Sequence, residues 1–158
     1  MSLIIRDAAE RDIPGIIELR KQLDDVHAEQ MPALFQSAYL YDEERVRSFL
    51  EAEKSKVIVV EMPDDDGIVA YAVLNQERVE EQTIFKPKTM IYVNDICVRK
   101  ELRGTGIGKT VMAYIINCAK EMKVDTVELN VFCSNESAVR LYEAMGLKDQ
   151  NKRMVLRL

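Results

Sequence analysis

Arg103-Gly104-Thr105-Gly106-Ile107-Gly108-Lys109-Thr110 places three glycines within five positions, directly ahead of a helical pattern. Glycine permits positive φ and puts no Cβ between a backbone amide and a ligand, so consecutive N–H groups can converge on one anion. The helix after the loop adds its own unpaired N–H groups and the positive end of its dipole. The run therefore reads as an anion cradle, set against the plainer reading of a glycine-rich turn that caps a helix. Two familiar phosphate loops each fail by one residue. A P-loop ending in Gly108-Lys109-Thr110 requires glycine where the chain has Arg103, and a dinucleotide fingerprint starting at Gly104 requires glycine where it has Lys109. Only Arg103-x-x-Gly106-x-Gly108 remains.

Working outward, Thr89 to Val98 reads as the strand that leads into the loop. Ile107, Val111, Ile115, Ala119 and Met122 lie on one face of the helix that leaves it. Val127 to Phe132 reads as a strand, Asn135 to Met145 as a helix closed by Gly146, and Met154 to Leu158 as a last strand. Nearer the start, Leu3 to Arg6 is a short strand. Asp12 as N-cap and Pro14 in the first turn open an amphipathic helix to about His27. Glu29 to Tyr41 is bulky without a period, either a packed cover or a pocket wall, and Asp42 then caps a short helix through Val46, Phe49 and Leu50. Lys56 to Glu61 and Ile68 to Asn75 form a hairpin about Pro63-Asp64-Asp65-Asp66-Gly67, and Gln76 to Pro87 is a long connection. This order predicts an α/β (α+β) fold, a mixed and mostly antiparallel central sheet of about six to seven strands flanked by about four helices. One domain over residues 1–158 is expected, with no repeat or linker.

Composition narrows the class. A chain of 158 residues, 47% hydrophobic and 31% charged, suits a soluble domain with a real core. No apolar run approaches the roughly 18 residues of a membrane span, and no signal-peptide pattern opens the chain, so a cytoplasmic protein without a membrane role is expected. Cys97, Cys118 and Cys133 are odd in number and lack CxxC spacing, and the Asp64 to Asp66 turn lacks the spaced ligands of a calcium loop, so no metal is expected. With 22 basic and 27 acidic residues, a net charge of −5 and no basic run, the chain shows no nucleic-acid footprint and leans toward a cationic partner.

Joined to the residues downstream of it, the glycine loop resembles that of the GNAT superfamily of acetyl-coenzyme A dependent N-acetyltransferases. Arg103-x-x-Gly106-x-Gly108 is similar to that family's pyrophosphate loop, and Ile96-Cys97-Val98 to the strand end that pairs with the pantetheine arm. Leu129-x-Val131-x-x-x-Asn135-x-x-Ala138-x-x-Leu141-Tyr142-Glu143-x-x-Gly146-Leu147 is similar to the second half of the cofactor site. The resemblance implies a sheet splayed between its fourth and fifth strands, opening after Val98. It implies that the backbone of Arg103, Gly104, Thr105, Gly106, Ile107, Gly108 and Lys109 holds the pyrophosphate of acetyl-CoA, and that Ile96 and Val98 bind pantetheine as an added strand would. By the same resemblance Asn135 contacts the cofactor arm and Tyr142 protonates the departing thiolate. Each has a plainer counterpart: Asn135 as a helix cap, Tyr142 as part of an amphipathic stripe, Arg103 as a surface charge.

Acetyl transfer requires a neutral amine, and a free alkylamine titrates near 10, so a proton must leave directly or through water. The oxyanion donor is, by resemblance, the backbone N–H near Ile96. Polyamine acetyltransferases carry glutamate where this chain has Asn94, and an amide is no base; Asn94 is left to orient a water or the amine. Strict alternation puts Tyr92, Asn94 and Ile96 on one face and Asp95 and Cys97 on the other. Glu128, Glu29 and His27 are candidate bases reached through solvent, and Phe35, Tyr39 and Tyr41 a candidate acceptor wall. The expected partners are acetyl-CoA and a primary amine on a small molecule, attacked directly in a ternary complex, with a ping-pong route through Cys97 or Cys133 less favoured. A protein N-terminus or lysine is the alternative acceptor, a CoA-binding module without turnover is the alternative to an enzyme, and a homodimer is compatible with the family.

Overall fold

In the computed structural model, which describes residues 2–82 and 84–158, the hairpins of the middle of the chain build the sheet and the late helices close it. The order is β1 (Ile4–Asp7), α1 (Ile13–Gln30), α2 (Glu43–Glu51), β2 (Ser55–Glu61), β3 (Ile68–Val79), β4 (Lys88–Val98), α3 (Ile107–Glu121), β5 (Thr126–Glu128) and α4 (Glu136–Ala144). Strands lie side by side as β1-β2-β3-β4-β5. Neighbours joined without a helical crossover are antiparallel, and α3 is the crossover that makes β5 parallel to β4.

The apolar runs of β2 and β3 do not alternate with polar residues because both faces of the sheet are covered. Ile58, Val60, Ala72 and Leu74 meet Val111, Met112 and Ile115 of α3 on one face. Val57, Val59, Tyr71 and Val73 meet Ile13, Ile16 and Leu19 of α1 and Val46 of α2 on the other.

Several sequence expectations are corrected. Five strands are present among the described residues, against the six to seven expected. Met154–Leu158, expected as a last strand, belongs to no strand and lies exposed. The fifth strand stops at Glu128, short of Phe132, because the chain there diverges from β4. The β3–β4 hairpin runs further than expected, to Val79 and from Lys88. Asp12 does not cap α1 through its side chain. Its carboxylate instead accepts from Arg6 Nη1 at 2.7 Å and from the Ala9 N–H at 2.8 Å, a stronger charge-assisted pairing than a cap offers.

Candidate active site

β4 pairs with β5 only at Met90, Ile91 and Tyr92. The opening between them thus begins at Val93, earlier than the position after Val98 that was expected. On its other side β4 stays paired to β3 as far as Val98, with a register shift that sets Val73 against Asp95 and Leu74 against Val93. Asn94 is the extra residue of a β-bulge, exposed beside the opening. The bulge also breaks the strict alternation. Val93, Ile96 and Val98 all pack on the α3 side, while Cys97 joins the core under α1.

Backbone direction along β4 can be followed from one bond. The Arg99 N–H donates to Val69 O at 2.8 Å, toward β3. In an antiparallel pair, successive residues send their polar groups to opposite sides, so Ile96 and Val98 point into the opening. The Val98 carbonyl accepts from Arg103 Nε at 3.0 Å, which makes the Arg103 side chain a clamp between strand and loop. Cys97 offers only its backbone here. Its thiol contacts Leu19 O at 3.2 Å, and burial pushes it up to about 12, so it supplies no thiolate nucleophile.

The glycines divide into two roles. Gly104 (φ +78°) and Gly106 (φ +96°) are left-handed, which turns the chain so that consecutive amides face outward. Among the described residues, the N–H groups from Gly104 through Lys109 have no acceptor, whereas that of Arg103 donates to Lys100 O at 3.3 Å. Gly108 is helical, and a Cβ there would lie 3.0 Å from Leu141 Cδ2. Its absence lets α4 press against the first turn of α3 and brings Tyr142 to the opening.

Asn135 caps α4, its Oδ1 accepting from the Ala138 N–H at 3.3 Å; the amide NH₂ is left for another partner. The ring of Tyr142 is buried in the core with α3. Its hydroxyl has no hydrogen-bond partner among the described residues, and since no fully buried polar side-chain atom lacks one, that hydroxyl reaches open space. Burial, aided by the charge of Asp95, pushes the phenol up to about 12.

On the α1 side, Asp95 Oδ2 accepts from Tyr71 Oη at 2.5 Å and from Arg20 Nη1 at 3.0 Å. Arg20 Nε also reaches Asp24 Oδ1 at 2.8 Å, and Asp24 Oδ2 accepts from the Leu40 N–H at 3.0 Å. One buried network thus ties β3, the bulged part of β4, α1 and the segment before α2. Tyr71→Phe removes one charge-assisted bond while leaving Arg20 in place, and is expected to cost about 2 kcal/mol of unfolding free energy, read by denaturant titration.

Of the expected acceptor wall, only Phe35 stands at the opening. It stacks on His27 with centroids 5.1 Å apart and meets Phe132 edge-on at 5.4 Å. Tyr41 is buried beneath Arg20, 5.0 Å from its guanidinium, and Tyr39 lies on the surface by Lys21. Phe132 escaped the sequence reading although it sits inside the motif that carried Asn135. Burial and the Arg20 charge hold His27 below its ordinary value, so it is neutral at pH 7. Glu128 is held by Lys88 Nζ at 2.8 Å and is no free base. Among the described residues no three His, Cys, Asp or Glu side chains converge as metal ligands, and no helix is long and apolar enough to cross a membrane.

Known proteins resemble this chain in sequence and in fold. Residues 20–147 match the model of the Acetyltransferase (GNAT) family. A stretch of 59 residues is 36% identical to thialysine N-epsilon-acetyltransferase from Bos taurus, covering 37% of this chain and 35% of that protein. The structure superposes on a tetramutant of a Bacillus halodurans protein with a TM-score of 0.92 at 30% identity, over 98% of this chain and 99% of that one. Glucosamine-6-phosphate N-acetyltransferase from Arabidopsis thaliana shares the fold, with a TM-score of 0.71 at 22% identity over 99% of each chain. By the family match over most of its length, this chain belongs to the GNAT family of acetyltransferases and is an acyltransferase.

Proposed function

We propose that the chain, as one domain in a cytoplasmic setting, moves an acetyl group from acetyl-CoA to the primary amine of a small molecule. The observation that carries this reading is the row of unspent N–H groups from Gly104 to Lys109, set beside the open edge of β4 and the free hydroxyl of Tyr142. Such a row fits a pyrophosphate, and an outward-facing Ile96 backbone fits the amides of a pantetheine arm. When bound, acetyl-CoA supplies the activated acetyl group. Ile96 N–H donates to the carbonyl oxygen as charge develops there, and Tyr142 Oη gives its proton to the departing sulfur. Asn135 contributes its amide NH₂ to the cofactor arm.

Amine deprotonation falls to His27 through water: of the other candidates, Glu128 is engaged by Lys88, Asp95 by Arg20, Glu29 is an exposed residue in the last turn of α1 without the contact to Phe35 that His27 has, and Asn94 cannot accept the proton as a carboxylate would. Asn94, exposed at the bulge, orients that water or the amine. Contact between Phe35, His27 and Phe132 joins the segment after α1 to the segment after β5 across the opening, which favours a compact acceptor over a polypeptide. The bovine relative, named for an ε-nitrogen of thialysine, points the same way.

Two measurements check this. Initial rates with small primary amines are expected to exceed those with peptides bearing a free N-terminus or lysine; the reverse order would move the acceptor to proteins. Because Tyr142 is pushed up to about 12, its acid form persists well above pH 10. The rate should therefore keep rising with pH as the amine loses its proton, where an ordinary phenol would turn the profile over near 10.

A further inference from the structure

Among the described residues the buried carboxylates are those of Asp12, Asp24 and Asp95. Asp95 alone of these lies on the open stretch of β4, between the bulged Asn94 and Ile96, whose N–H faces the opening. Acetyl transfer gives its side chain no task, and a buried charge is costly. Its partners come from two elements. Tyr71 Oη of β3 donates at 2.5 Å and Arg20 Nη1 of α1 at 3.0 Å, while the same guanidinium holds Asp24 through Nε at 2.8 Å. Helix α1 meets this part of the chain twice more, where the Cys97 thiol donates to Leu19 O at 3.2 Å and the Lys100 N–H to Gln22 Oε1 at 3.1 Å.

The bulge is a choice between two registers. Beyond the pair of Leu74 with Val93, the position opposite Val73 faces α1 and the position opposite Ala72 faces α3. With Asn94 bulged out, Asp95 and Ile96 take those two positions. Without the bulge Asn94 and Asp95 would take them, and each later residue would move one place. Ile96, Cys97 and Val98 are apolar and suit either face, so they do not decide the register. A slip would carry the Asp95 carboxylate away from Arg20 and Tyr71 into the apolar core beneath α3, and would leave a neutral amide beside the cation. It would also reverse the backbone. Like Arg99 opposite Val69, the residue opposite Tyr71 turns its polar groups toward β3; that residue is Cys97, and after a slip it would be Ile96. We propose that Asp95, held by Arg20 and Tyr71, is the positioning residue that fixes the β4 register and thereby turns the Ile96 N–H into the opening.

Moving the carboxylate one place earlier, Asn94→Asp with Asp95→Leu, keeps a partner for Arg20 and Tyr71 and puts an apolar side chain opposite Ala72. In this variant the cross-strand Hα–Hα NOE of Ala72 is expected to pass from Ile96 to residue 95, with the Ile96 amide newly protected from hydrogen exchange. Asn94→Asp alone should keep the Ala72–Ile96 contact. Relative to it, the double variant should lose about 100-fold or more in kcat, the usual loss on removing one oxyanion donor. A carboxylate with a merely structural role would change stability without moving the contact. The effect on rate rests on the acetyl-transfer reading, whereas the register does not. If the parent chain releases no thiol with any amine, that reading falls, and the NOE still decides whether Asp95 sets the register. A folded double variant that keeps the Ala72–Ile96 contact overturns the proposal, and so does a shifted register with kcat equal to that of Asn94→Asp. Should the double variant fail to fold, Asp95→Leu alone, in which the Asn94 amide is left to meet Tyr71 and Arg20, is expected to show the same shift; retention of the Ala72–Ile96 contact there overturns it.

Discussion

Gly106→Asp is expected to weaken acetyl-CoA binding by roughly 100-fold or more, measured by titration calorimetry on a variant shown to be folded. Two effects add. Gly106 sits at φ +96°, where a side chain is strained, although aspartate tolerates the left-handed region better than most residues. The larger effect is charge: a carboxylate placed about 4 Å from a pyrophosphate oxygen costs about 4 kcal/mol at an effective dielectric of 20, less where solvent enters, and each 1.4 kcal/mol is tenfold in affinity. Gly106→Ala separates the two, since it carries the strain without the charge and should lose far less. Open space around a Cβ at this position means that neither variant clashes with the protein itself. Unaltered affinity in folded Gly106→Asp would remove the loop from the cofactor site.

Tyr142→Phe is expected to lower kcat by about 100-fold or more, the usual range for removal of a positioned acid, with the affinity for acetyl-CoA nearly unchanged. The ring is already buried against α3, so phenylalanine keeps the packing, and a hydroxyl without a partner among the described residues leaves nothing there unpaired when it goes. Stability should therefore move little, which separates a lost proton donor from a damaged core. A rate equal to that of the parent would return Tyr142 to a packing role. The split between kcat and affinity also tells this variant from Gly106→Asp, which acts on binding first.

Legibility in the sequence followed the range of the forces involved. The glycine loop, the hairpin of β2 and β3 and the α3 stripe from Ile107 to Ala119 rest on local chemistry and spacing and stand where the pattern put them, whereas Met122, the last residue expected on that stripe, lies just past the helix and is exposed. The strand ends and the facing of β4 did not read as well. Asn94 carries no bulge signature of its own, since the bulge arises from the register that β3 imposes, and it reverses which residues face α3. Gly108 looked like one more flexible glycine of the loop, yet its conformation is helical and its missing Cβ is set by Leu141, far along the chain. Arg103 looked like a phosphate ligand and is turned back onto Val98. Tyr41 was grouped with Phe35 by bulk alone, and only the pairing of Asp95 with Arg20 and Tyr71 explains why it goes inward. Met154–Leu158 has the composition of a strand, but composition does not give it a sheet edge to pair with.

The central claim is acetyl transfer to an amine, and thiol release from acetyl-CoA across a panel of small primary amines tests it most directly, with the acetylated product identified by mass. Amine-dependent thiol release well above the rate with water alone is expected, falling by about 100-fold or more in Gly106→Asp at subsaturating acetyl-CoA. Tight acetyl-CoA binding without amine-dependent release from any acceptor, peptides included, would contradict it and leave a CoA-binding protein without turnover.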